Sequence, residues 1–235
     1  MLDFVLRPTK ENALRPFCRV IPSAVVPIHL TLVGFLFGLA SCSFTAIWGN
    51  SHATKDVVIS VVLWLLNRFL DSLDGSLARE RRTVTEAGGF IDLLCDFLIY
   101  SLIPPAVAHG EDRYRSRNMG LPPVNWRSVA YLEVTFHINN FLLFYAAAVA
   151  AKVEFDHNGQ QKSAELTSVV LRPALIEGFE SGIMFTIMLA FPSYIESVAW
   201  VMGCTVTVGI IQRVMYIVPA LVKLDQNRVK KSGTR

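Results

Sequence analysis

Asp71-Ser72-Leu73-Asp74-Gly75-Ser76-Leu77-Ala78-Arg79 is followed, after eight residues, by Gly88-Gly89-Phe90-Ile91-Asp92-Leu93-Leu94-Cys95-Asp96. Four carboxylates thus lie where one apolar run ends and the next begins. The upstream run, Val57 to Leu70, supplies only about 21 Å of helix, short of the roughly 30 Å of a bilayer core. The helix must therefore continue through Asp71 and Asp74 toward Arg79. The acids then belong to spanning helices, at the membrane edge and inside the bundle.

Composition agrees with a membrane setting. Of 235 residues, 52% are hydrophobic and 17% charged, and the mean hydropathy is +0.43. Soluble domains carry about a quarter charged residues. The expected fold is all-α: one integral membrane bundle of six transmembrane helices over residues 1–235, preceded by an interfacial helix. The spans are read as Leu30 to Trp48, Val57 to Arg79, Gly88 to Ala108, Val129 to Ala151, Thr167 to Phe191 and Ser197 to Leu221. Pro104-Pro105 is expected to disrupt the far end of the third span, and Gly110 to Arg127 reads as the longest loop on that side. Gly34 and Gly38, four apart, put small surfaces on one face of the first span for close packing.

Residues 1–25 mix Arg7, Lys10, Arg15 and Arg19 with apolar groups, which suits a juxtamembrane amphipathic segment interrupted or capped by Pro8 and Pro16. They lack a signal-peptide pattern, so membrane insertion is assigned to the spans themselves. Residues 222–235 form a basic cytoplasmic tail. Counting Lys and Arg by loop gives 14 on the side of the termini and 5 on the other, so the termini and the aspartate cluster face the cytoplasm. A net charge of +3 gives no reason to expect nucleic acid as a partner. The scattered cysteines read as small buried hydrophobes.

Asp71 and Asp74 are three apart and Asp92 and Asp96 four apart, so each pair shares a helix face. A short loop turns the two pairs toward each other. Four carboxylates in a low-dielectric pocket repel, and hard divalent cations such as Mg²⁺ or Mn²⁺ resolve that repulsion while bringing phosphate oxygens with them. Gly75, Ala78 and Gly88 leave room for a bulky ligand, and Arg79 suits a phosphate charge. The ligand expected from these residues is a metal-bound diphosphate. In the fifth span, Arg172, Glu177 and Glu180 either line an acceptor pocket or form a structural ion-pair set. Arg213 reads as snorkelling toward the tail, and His137, Asn139 and Asn140 as partners in helix–helix hydrogen bonds.

The stretch resembles the signature of the CDP-alcohol phosphotransferase (phosphatidyltransferase) family, D-x2-D-G-x2-A-R-x8-G-x3-D-x3-D. Asp71, Asp74, Gly75, Ala78, Arg79, Gly88, Asp92 and Asp96 fill all eight fixed positions. Pro27 and Thr31 are similar to a P-N-x-x-T element at the start of the family's first span, with Ile28 in place of the asparagine. The resemblance implies transfer of a phosphoalcohol group from a CDP-linked donor, often CDP-diacylglycerol, to an acceptor alcohol with release of CMP. It implies two metal ions, Mg²⁺ or Mn²⁺, held by Asp71, Asp74 and Asp92. Asp96 would complete the second metal site and act as general base. Asp71, Asp74, Gly75, Ala78, Arg79 and Gly88 would contact the CDP part. Family members often form homodimers. The membrane would be the endoplasmic reticulum or another organelle in a eukaryote and the inner membrane in a bacterium.

Two other functions compete. An intramembrane prenyltransferase also binds a Mg²⁺-bound diphosphate through Asp-rich motifs, but those recur on well-separated helices. A cation transporter would explain acids in spans but not glycines paired with a phosphate-binding arginine, and no repeated halves are visible.

Overall fold

Pro27 opens the first long helix because a proline at the first position loses no helical hydrogen bond. The computed structural model describes residues 13–48, 53–117, 120–156 and 178–232, and every regular element among them is helical. In order these are α1 (residues 13–20), α2 (Pro27–Trp48), α3 (Thr54–Glu80), α4 (Glu86–Arg117), α5 (Trp126–Asp156), α6 (Gly178–Ala190), a 3₁₀ turn at Pro192–Tyr194, and α7 (Ile195–Ser232). The all-helical expectation holds for the described residues. Among the described residues, four segments are long and apolar enough to cross a membrane: Pro27–Ile47, Glu86–Arg117, Trp126–Val149 and Pro192–Lys223. Helix α3 runs unbroken for 27 residues through Asp71 and Asp74 to Glu80, as the short apolar run required.

The expected break at Pro104-Pro105 does not occur: both lie inside α4, which continues to Arg117. Each proline deletes one backbone hydrogen bond. Buried packing holds the helix together there, with Ile99, Ile103, Val107 and Ala108 all fully buried and Pro104 among them. The loop expected from Gly110 to Arg127 is correspondingly shorter. Buried Glu111 accepts from Arg115 Nε at 2.8 Å, Arg115 Nη1 reaches Glu196 Oε1 at 2.6 Å, and Asp112 Oδ1 accepts from the Val124 amide at 2.9 Å.

The chain forms two compact units, residues 2–129 with 178–200, and residues 130–177 with 201–235. In the first, the Gly34 and Gly38 face packs closely, as expected. A methyl group added at Gly34 would lie 3.2 Å from Leu70 Cβ on α3, and one at Gly38 would lie 2.8 Å from Ile99 on α4. Helix α1 docks on α3 through Leu14 and Cys18 against Leu73 and Leu77, while Phe17 and Val20 remain exposed. Pro16 falls within the described helical stretch. In the second unit, Gly203 lets α7 approach α5: an added methyl would sit 2.8 Å from the Tyr131 ring. Tyr131 Oη and Thr207 Oγ1 share a hydrogen bond of 2.6 Å.

Several smaller expectations change. Cys18 and Cys42 are buried, but Cys95 is partly exposed and Cys204 exposed. Arg213 is buried instead of reaching outward. His137 bonds along its own helix, Nδ1 to the Glu133 carbonyl at 2.6 Å, while Asn139 is buried.

Candidate active site

The turn between α3 and α4 decides what the four aspartates can do together. Helix α3 stops by a Schellman arrangement: the Thr83 amide donates to the Ala78 carbonyl at 2.9 Å, and the Arg82 amide to that of Arg79 at 3.2 Å. Arg82 adopts φ 55, a left-handed conformation costly for a residue with a Cβ. Three residues later Thr85 caps α4, its Oγ1 accepting from the Gly88 amide at 3.1 Å. A methyl group at Gly88 would come within 2.9 Å of that oxygen. Gly88 therefore serves the cap of α4, a local reason its type is required in addition to any ligand.

Two caps this close force α3 and α4 into antiparallel neighbours. The last turns of α3 carry Asp71, Asp74, Gly75, Ala78 and Arg79; the first turns of α4 carry Gly88, Asp92 and Asp96. All eight signature residues are thereby gathered at one end of the helix pair. Asp71 and Asp96 approach each other across the pair, both within reach of the Arg68 guanidinium. Asp74 is buried and accepts a 2.5 Å hydrogen bond from Thr31 Oγ1 on α2. Arg79 is exposed and folds back over Gly75, its Nη1 lying 3.3 Å from where a Cβ at Gly75 would be. The absent side chain at Gly75 makes room for that guanidinium. Arg172 and Glu177, expected on the acceptor side, lie outside the described residues.

The side chain that sequence reasoning undervalued is Arg68. Its Nη2 lies 2.5 Å from Asp96 Oδ1 and its Nη1 3.2 Å from Asp96 Oδ2, a two-pronged grip. Nη1 also reaches Tyr100 Oη at 2.5 Å and Asp71 Oδ2 at 3.5 Å. Nε donates to Asn67 Oδ1 at 2.8 Å, and buried Asn67 donates in turn to the Gly34 carbonyl at 2.9 Å. The guanidinium lies over the Trp64 ring, 4.8 Å from its centroid, and over the Tyr100 ring at 4.9 Å. Spacing offered a signal: Arg68 precedes Asp71 by three, and Tyr100 follows Asp96 by four, so each shares a face with an acid.

A divalent cation can be tested against this donor set. Four carboxylates are offset by the Arg68 guanidinium and the Thr31 hydroxyl, which leaves negative charge in excess and oxygen donors of the hard type that Mg²⁺ and Mn²⁺ favour. The donor chemistry fits. Among the described residues no three such side chains converge on a single point as they stand.

Comparison with known proteins bears on this geometry. A family model described as CDP-alcohol phosphatidyltransferase matches residues 24–211. The chain is 33% identical over 205 residues to the inner membrane protein YnjF of Escherichia coli (strain K12), covering 86% of this chain and 88% of that protein. It is 32% identical over 107 residues to an archaetidylinositol phosphate synthase of Pyrococcus horikoshii, covering 45% of this chain and 53% of that protein. The crystal structure of Mycobacterium tuberculosis phosphatidylinositol phosphate synthase (PgsA1) with CDP-DAG bound shares its fold, with a TM-score of 0.59 at 17% identity. The match covers 88% of this chain and 92% of that one.

Proposed function

From the premise that the chain belongs to the CDP-alcohol phosphatidyltransferase family, we propose the following account of its reaction and site. The protein is a multi-pass membrane enzyme of phospholipid synthesis. It transfers a phosphatidyl group from a CDP-linked lipid donor, such as CDP-diacylglycerol, to an acceptor alcohol and releases CMP. The observation that carries the account is the facing of Asp71 and Asp74 by Asp92 and Asp96 across the short α3–α4 turn.

The acceptor hydroxyl attacks the β-phosphorus of the donor. The bond to the CMP oxygen breaks, and the hydroxyl proton passes to Asp96 as general base. Asp71, Asp74 and Asp92 would hold two divalent ions, Mg²⁺ or Mn²⁺, with Asp96 completing the second site. Such ions, when bound, neutralise the diphosphate and stabilise departing CMP. Gly75, Ala78, Arg79 and Gly88, with Asp71 and Asp74, contact the CDP part; the Arg79 guanidinium, exposed beside Gly75, suits a phosphate charge. Arg172 and Glu177 are assigned to the acceptor side on sequence grounds.

Six spans, with the termini and this site at the cytoplasmic face, accord with the Lys and Arg distribution. Helix α3 counts as a span despite its charges, because its acids face protein. α1 would lie at the interface, Leu14 and Cys18 docked and Phe17 and Val20 toward lipid. A homodimer is the expected assembly. The archaeal relative's name makes inositol phosphate the first acceptor to try.

The test is purified protein in detergent with Mg²⁺ or Mn²⁺ and radiolabelled CDP-diacylglycerol, screened against acceptor alcohols. CMP release that depends on both acceptor and metal supports the account. Inactivity with every CDP donor, alongside inorganic diphosphate release from a prenyl diphosphate, overturns it.

A further inference from the structure

Arg68 is more elaborately held than neutralising a carboxylate requires. Neutralisation asks only for a nearby positive charge, which a flexible lysine supplies. Here Nε is fixed by Asn67, itself anchored on the α2 backbone, and the guanidinium also packs against the rings of Trp64 and Tyr100. Trp64 is fixed as well, its Nε1 donating to Thr186 Oγ1 on α6 at 2.8 Å. The remaining edge presents Nη1 and Nη2 to the two oxygens of Asp96. Such a fork defines the plane of a carboxylate, which a single point charge does not.

We propose that Arg68 is the positioning residue for Asp96. Supported by Asn67, Trp64 and Tyr100, it holds the carboxylate in one orientation for proton removal from the acceptor alcohol. This rests on the base role given to Asp96 above. A base displaced by about 1 Å loses on the order of 100-fold in rate, whereas the donor and the first metal ion rely on Asp71, Asp74 and Asp92, Asp96 only completing the second metal site.

The experiment compares Arg68→Gln, Arg68→Lys, Asn67→Ala and the double variant Arg68→Gln/Asn67→Ala in purified protein. Turnover gives kcat and the KM for CDP-diacylglycerol, and electron paramagnetic resonance gives the Mn²⁺ Kd. Arg68→Gln is expected to lower kcat about 100-fold while weakening neither KM nor the Kd of the first, tighter Mn²⁺ ion beyond about threefold. Arg68→Lys recovers part of kcat, because it keeps the charge and loses the fork. Asn67→Ala lowers kcat less, and the double variant is no slower than Arg68→Gln alone, because both act through one contact. Wild-type kcat in Arg68→Gln, equal losses in kcat and in binding of the first Mn²⁺ ion or the donor, or multiplying losses in the double variant would each overturn the inference. If Arg68→Gln does not fold, Tyr100→Phe removes only the hydroxyl on Nη1; it should lower kcat several-fold at constant KM, and an unchanged kcat refutes the role. Asp96→Asn runs in parallel. An active Asp96→Asn removes the base assignment itself, whereas an inactive one beside a fully active Arg68→Gln removes only the role of Arg68.

Discussion

Thr31 on α2 donates to Asp74 Oδ2 on α3 at 2.5 Å, and both residues are buried. This bond ties the start of the first long helix to the aspartate cluster. It gives Thr31, noticed in the sequence only as part of a short element, a physical task. Thr31→Val keeps the shape and removes the donor, leaving a buried carboxylate oxygen without it. The expected cost is about 1–3 kcal/mol of stability, read as a lowered unfolding midpoint in detergent, with Thr31→Ser close to wild type.

The close approach of α2 to α4 depends on Gly38, where a methyl group would sit 2.8 Å from two carbons of Ile99. Gly38→Ala should destabilise the fold by about 1–3 kcal/mol through overpacking. Gly38→Ala combined with Ile99→Val should recover part of that loss, since the shortened side chain withdraws from the clash. Thermal unfolding of the three proteins checks this, and an additive loss in the double variant would count against the packing account.

Arg82 occupies a left-handed position at φ 55 in the cap of α3. Glycine adopts that conformation without strain, so Arg82→Gly should stabilise the protein by about 1 kcal/mol. A lower unfolding midpoint would show that the Arg82 side chain contributes more than its backbone costs.

Arg81 fastens the chain ahead of α2, donating to the carbonyls of Val25 at 2.6 Å, Ile21 at 2.7 Å and Pro22 at 3.2 Å. These bonds join the α3–α4 turn to the segment that follows α1. Arg81→Gln cannot span all three acceptors. Limited proteolysis should cut residues 21–26 faster in this variant than in wild type, and equal rates would show that the docking of Leu14 and Cys18 suffices.

Much of the site was legible because its determinants are local. The run from Val57 to Leu70 is too short to span, so α3 had to carry Asp71 and Asp74. Spacings of three and four then placed each acid pair on one face. What escaped was decided by neighbours distant in sequence. Pro104 and Pro105 are strong local breakers, and only the buried packing of Ile99, Ile103 and Val107 keeps α4 intact past them. Arg68 shares a face with Asp71, but its fork onto Asp96 depends on the register between two helices, which no spacing within one helix reveals. Gly75 read as space for a ligand, and the contact of the Arg79 guanidinium beside it was likewise invisible in the sequence.

The central claim is that the aspartate cluster transfers a phosphatidyl group with Asp96 as base. The most direct measurement is CMP release from CDP-diacylglycerol by Asp96→Asn, set beside donor binding by the same protein. The account predicts that turnover is abolished while much of the donor affinity survives. Wild-type rates of CMP release in Asp96→Asn would contradict it.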